Sequence, residues 1–161
     1  MLHSFKAGGA GKRKRHFIVV EDMKVNLMLV TKILRKHGCE VFAALNGREA
    51  VEMMRAEDYA VVFMDCQMPE MDGFEATRII RKEEKVRGRH TAIVALTADA
   101  MTGDREKCIA GGMDDYLNKP LKAEQITEML RKWVPQSAHA VKATAIAGQA
   151  EVAKVNARMT A

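Results

Sequence analysis

From residue 17 to residue 135 the chain alternates short, unbroken apolar runs with longer stretches whose apolar residues recur every three or four positions. The short runs predict buried strands and the longer spacing predicts helices. The runs are Phe17–Val20, Val41–Ala44, Ala60–Met64, Ala92–Leu96 and the shorter Tyr116–Leu117. Between them, Val30, Ile33, Leu34 and His37 share one helical face, as do Ala50, Met53 and Met54, and again Phe74, Thr77 and Ile80. Ile126, Met129, Leu130 and Trp133 fill the i, i+3, i+4, i+7 template in full, and residues 102 to 110 give a shorter, less regular helix. Gly38 and the pair Gly111-Gly112 stand where helices stop.

Strands that alternate with helices require crossover connections, and these lay neighbouring strands parallel. The expected fold class is therefore α/β: a doubly wound parallel sheet of five strands with five helices over its two faces. Unbroken runs such as AVVFM fit strands buried on both sides. There is no internal repeat. The expected organisation is a flexible Gly-rich basic arm at 1–16, one domain at 17–135, and an Ala-rich tail at 136–161. That tail is disordered or weakly helical, because Gly148 interrupts it and its apolar face is thin.

Composition adjusts this picture in three ways. The 161 residues are 48% hydrophobic, enough for one sizeable core. The net charge of +5 suggests a nucleic-acid partner, but the excess lies in the tails: Lys6, Lys12, Arg13, Lys14 and Arg15 precede the domain, and Lys142, Lys154 and Arg158 follow it. The body between them is slightly acidic, so no specific nucleic-acid contact is expected. No run approaches the roughly 18 apolar residues of a membrane span, and no apolar secretory segment opens the chain, which predicts a cytoplasmic protein, or a nuclear one if the cell has a nucleus, without a membrane partner. Cys39, Cys66 and Cys108 are odd in number and widely spaced, so reduced, buried thiols are expected. The GGAGK stretch is not a phosphate loop, because Lys6 and Arg13 occupy positions that require Gly and Ser or Thr.

Open parallel sheets carry their sites beyond the carboxyl ends of the strands. Glu21 and Asp22 follow the first strand, Asp65 ends the third, Thr97 ends the fourth and Lys119 follows the fifth, all at one edge. Helix capping could account for any one acid, but it does not account for the whole set. Clustered carboxylates repel one another unless a cation joins them, and a small set of hard oxygen donors suits Mg²⁺ shared with a phosphate. A carboxylate can also serve as nucleophile and form an acyl phosphate, with lysine as a second positive charge and a threonine hydroxyl as donor to the new phosphoryl oxygens. Asp65, set between a hydrophobic strand and a loop holding Pro69 and Gly73, is the candidate phosphoacceptor.

The stretches HFIVVED, FMDCQMPEMDGFEATRIIR and IVALTADAMTGDREKCIAGGMDDYLNKPL, in this order and spacing, resemble the receiver domains of two-component response regulators over residues 17 to 133. The second and third stretches are most similar to receivers attached to hybrid sensor histidine kinases. The resemblance implies a flavodoxin-like sheet of order 2-1-3-4-5. It also implies that Asp65 is the phosphoacceptor, with Glu21, Asp22, Asp65 and the backbone carbonyl of Gln67 as Mg²⁺ ligands. Thr97 becomes the switch hydroxyl, Tyr116 the ring that moves with it, and Lys119 the phosphate partner in a cis Lys119-Pro120 peptide. Gln67 and Asp99, two residues beyond Asp65 and Thr97, are candidates for tuning the phosphate lifetime. The expected partner is a histidine kinase or a histidine-containing phosphotransfer protein. Met23 departs from the family pattern, which often has Asn after the acidic pair.

Two other functions are weaker. A phosphatase with an aspartate nucleophile of the haloacid dehalogenase type needs an acid two residues after it, where Gln67 stands. A helix-turn-helix output module needs some 60 or more residues, and the Ala-rich segment after Pro135 has 26. A free-standing regulator and the receiver part of a larger hybrid kinase both fit, as do monomer and dimer. His3, His16, His37, His90 and His139 have no neighbours suited to catalysis and are expected at the surface; Met101 and Met113 are expected to pack.

Overall fold

Five strands, β1 (His16–Val20), β2 (Glu40–Ala44), β3 (Val61–Asp65), β4 (Ala92–Thr97) and β5 (Asp115–Asn118), form one parallel sheet in the order β2-β1-β3-β4-β5. The helices α1 (Lys24–Lys36), α2 (Gly47–Ala56), α3 (Gly73–Arg87), α4 (Asp104–Ala110) and α5 (Ala123–Trp133) connect them or follow the last. This is a computed structural model, and it describes residues 15–98 and 103–134. The expected fold class and strand order are both present.

The period-two alternation of each strand divides the core into two layers. Phe17 and Val19 of β1, with Val61 and Phe63 of β3, face α1 and α5 and pack with Val30, Leu34, Ile126 and Leu130. Ile18 and Val20, with Val62 and Met64, point the other way into a layer built with Ala50, Met54, Ala76 and Ile80 from α2 and α3, and Cys108 from α4. Each buried side chain of this size contributes about 1.5–3 kcal/mol, so the central strands are the most strongly held part of the molecule. All of β3 and β4 is buried.

The strands extend slightly beyond their apolar runs, because ladder hydrogen bonds are blind to side-chain polarity. His16, assigned from sequence to the arm, opens β1 opposite Glu40, and Asp115 and Asn118 flank the short apolar pair of β5. His16 is also not a free surface residue: it is half-buried, with Glu40 and Glu57 on its two ring nitrogens and Phe42 and Tyr59 against its ring. His37 is half-buried too, within 3.3 Å of the Thr127 hydroxyl. Met113 packs as expected, whereas Met101 lies outside the described residues. Gly38 takes φ +77 beyond the end of α1, a left-handed conformation that a Cβ disfavours.

Two helix starts are fixed locally. The Asn46 side chain accepts from Glu49 N–H while Glu49 reaches back to Leu45 N–H, a reciprocal cap on α2. Asp72 accepts from Glu75 N–H at 2.8 Å and caps α3, the helix that follows the Asp65 loop. Helix α4 is less firmly held. It has seven residues, its N-cap Gly103 offers no side chain, and Cys108 is its one buried residue. No described helix is long and apolar enough to cross a membrane.

Candidate functional site

The carboxyl edge of the sheet gathers its reactive groups because parallel strands end in register. Asp65, the last residue of β3, pairs with Leu96, and Thr97 follows Leu96 at the end of β4. Glu21 continues β1 by one ladder bond, its N–H donating to the Ala44 carbonyl at 3.0 Å. That bond turns the Glu21 side chain into the edge, where it is wholly buried, while Asp22 stays exposed. Carboxylate oxygens of Glu21, Asp22 and Asp65 lie within 4.8 Å of one another.

Lys119 enters from the far side of the sheet. Its backbone N–H donates to the Thr97 carbonyl at 2.7 Å, and the Lys119-Pro120 peptide that follows is cis. Its Nζ lies 3.0 Å from Glu21 Oε2 and 3.1 Å from Asp65 Oδ2, so one ammonium serves two buried acids. The other Asp65 oxygen, Oδ1, accepts from Gln67 N–H at 3.1 Å. Glu21 Oε1 accepts from Met23 N–H at 3.2 Å, a bond the backbone supplies whichever side chain stands at position 23.

These contacts set the electrostatics. Burial, followed by the hydrogen bond and negative charge of Asp65, pushes Glu21 up to about 7, against the opposing pull of Lys119 and Met23 N–H. Burial alone would lower Lys119, but Glu21 and Asp65 outweigh it and hold the lysine above its ordinary range. The edge thus has more negative charge than one lysine balances. Its donors are all oxygens, and it opens on a cleft of about 550 Å³ lined by Asp22, Gln67, Met68, Pro69, Asp72 and Phe74 among others. Such donors suit a hard divalent cation that keeps some of its waters.

The loop behind Asp65 turns at two unlike places. Its left-handed residue is Glu70, at φ 66, not a glycine. Gly73 serves close approach instead: a Cβ there would lie 2.2 Å from the Asp65 carbonyl oxygen, and its N–H donates to the Cys66 carbonyl at 3.2 Å. Cys66 and Cys108 meet at 3.9 Å in the core, and burial raises both thiols above their ordinary range, as fits inert packing groups.

Thr97 is buried, and its hydroxyl donates to Asp104 Oδ2 at 2.9 Å. Sequence reading passed over Asp104, which looks like an ordinary acid in the first turn of a helix. Tyr116 is half-buried on β5 opposite Ala95, packed against the α2–α3–α4 layer. Asp99 lies outside the described residues.

Comparison with known proteins places the whole domain. Residues 17–131 match the family model described as the response regulator receiver domain. A hybrid signal transduction histidine kinase of Dictyostelium discoideum is 40% identical over 136 residues, which cover 78% of this chain and 7% of that protein. The receiver domain of a sensor histidine kinase from Pseudomonas aeruginosa, solved with magnesium coordinated in its active site cleft, is 40% identical with a TM-score of 0.68, covering 75% of this chain and 98% of that one. The receiver of the Saccharomyces cerevisiae regulator Ssk1, solved with the histidine phosphotransfer protein Ypd1, is 34% identical with a TM-score of 0.71, covering 74% and 88%. The chain therefore spans a small fraction of the curated kinases it matches and nearly all of the isolated receivers.

Proposed function

Because this chain belongs to the response regulator receiver family, as its sequence match and sheet order establish, we propose that it accepts a phosphoryl group from a phosphohistidine onto Asp65. The observation that carries this is the shared ammonium: Lys119 lies about equally close to Asp65 and Glu21, beside an acid-rich cleft open to solvent. In the transfer the P–N bond to the donor imidazole breaks, a P–O bond to an Asp65 carboxylate oxygen forms, and the imidazole leaves. Glu21, Asp22, Asp65 and the Gln67 carbonyl would hold Mg²⁺, which when bound neutralises charge on the phosphoryl oxygens. Lys119 turns to the same oxygens, and Gln67 N–H steadies the nucleophilic carboxylate through Oδ1. Thr97 and Tyr116 then relay the added charge to the partner surface, with Gln67 and Asp99 setting how long it stays.

The donor is a histidine kinase or a histidine-containing phosphotransfer protein, acting in the cytoplasm. Met23, Val25 and Met28, at the start of α1 beside the acidic pair, are 57%, 74% and 71% exposed and give such a donor an apolar landing next to Asp65. Matches to hybrid kinases cover only their receiver portion, so the chemistry assigned to this chain is that of the receiver alone. Of the arms expected at 1–16 and 136–161, the first yields His16 to β1, and the remainder is assigned outside the domain.

Intact-mass spectrometry after treatment with acetyl phosphate and Mg²⁺ tests the reading. Wild type should gain one phosphoryl mass and Asp65→Asn none; equal labelling of the two would remove Asp65 from its role.

A further inference from the structure

We infer that Asp104 is a positioning residue that holds the Thr97 hydroxyl in the resting state and must give it up when Asp65 is phosphorylated. This rests on the reading of Asp65 and Thr97 given above and adds to it a competitor for the switch. A threonine hydroxyl has one proton to donate. At the end of β4 that proton goes to Asp104 Oδ2, 2.9 Å away. A phosphoryl group on Asp65 would need the same proton, because Thr97 lies one residue past the register partner of Asp65 on the neighbouring strand. The two acceptors therefore exclude each other, and the bond to Asp104 favours the unphosphorylated form.

The bond also links the switch to a movable element. Asp104 is the first residue of α4, a helix that buries Cys108 alone and lacks a side-chain cap. Beyond the Thr97 contact, the Asp104 carboxylate faces Lys107 of its own helix, 3.6 Å from Oδ1 and largely exposed. A dianionic phosphoryl on Asp65 would draw the hydroxyl away and repel the Asp104 carboxylate left behind. The lightly anchored helix would then move with its first residue, so capture of one proton becomes displacement of a surface helix. Thr97 remains fixed by its backbone throughout, through the Lys119 N–H on its carbonyl.

Calorimetric binding of beryllofluoride, a phosphoryl mimic, in the presence of Mg²⁺ tests this by a double-mutant cycle on the full chain. Asp104→Ala should bind the mimic about tenfold more tightly than wild type, the equivalent of one charge-assisted hydrogen bond released. Asp104→Asn, which keeps an acceptor but loses the charge, should fall between them. In a Thr97→Ala background, Asp104→Ala should gain clearly less, since no hydroxyl remains to hold and only the repulsion is relieved. Glu106→Ala removes another acid from the first turn of α4 and should leave affinity as in wild type. The inference is overturned by unchanged affinity in both Asp104 variants, by an equal gain with and without Thr97, or by an equal gain from Glu106→Ala. Failure of wild type itself to label with acetyl phosphate would instead overturn the underlying reading of Asp65.

Discussion

Lys119 Nζ sits 3.1 Å from Asp65 Oδ2, although the two residues are separated by most of the domain's second half and meet only because β3 and β5 flank β4 and end at the same edge. The lysine is shared with Glu21, so a substitution there disturbs two acids at once. Lys119→Ala should lower the rate of labelling by acetyl phosphate by about a hundredfold, the usual scale for losing one preorganised donor to a developing charge. A mass-spectrometric time course measures it, and a rate within twofold of wild type would show that the ammonium is only structural.

The raised Glu21 predicts an unusual pH dependence in metal-free protein. Its pKa rises from 4.5 to about 7, so its contribution to stability is fully present below 4.5 and is lost as pH climbs through 7. The loss should amount to at most about 3 kcal/mol. Thermal melts without divalent ions should therefore show Tm falling between about pH 5 and 8, with saturating Mg²⁺ shrinking the fall and Glu21→Gln nearly abolishing it. A Tm in metal-free wild type that rises across this window would contradict the assignment.

The exposed start of α1 separates small donors from protein donors. Met28→Lys places a charge in the apolar landing without touching the acidic edge, so labelling by acetyl phosphate should stay within twofold of wild type. Transfer from a phosphorylated histidine phosphotransfer protein should slow about tenfold, the scale of one interface contact replaced by an ill-matched charge. Equal slowing of both reactions would place the damage in the site rather than on the surface.

Glu70 holds a left-handed backbone that its side chain disfavours. Glu70→Gly should relieve this and leave stability unchanged or raised by up to about 1 kcal/mol, despite the greater freedom glycine gives the unfolded chain. Urea denaturation reads the difference, and a clear loss of stability would mean that Glu70 makes up its backbone cost through contacts of its own.

The sheet and the members of the site could be read in the sequence because both leave local marks. Apolar runs mark strands, and a reactive residue placed directly after one inherits its edge position, as with Asp65, Thr97 and Lys119. Less visible were arrangements that join side chains across long separations with no periodic trace. Arg81 is the plainest case: its guanidinium binds the carbonyls of Gly112 and Thr91 and the carboxylates of Glu84 and Asp114, tying α3 to β4 and β5 at the far edge of the sheet. In sequence it is one charge in a basic helix. Asp104 was equally hidden, since any first-turn acid satisfies the helix dipole. The left-handed turn at Glu70 was hidden for a different reason: nothing in a glutamate marks a positive φ, whereas the glycine nearby, Gly73, is needed for space.

That spatial need at Gly73 makes the backbone of Asp65 and the start of the third helix direct neighbours, with no cushion of side-chain atoms between them. A single added methyl could be absorbed only by pushing back the helix or by tilting the tip of the strand, and the second would swing the proposed nucleophile, Asp65, off its target. Damage taken up at the strand tip would leave a folded protein that has gone silent, so a screen scoring only expression or solubility would pass over it.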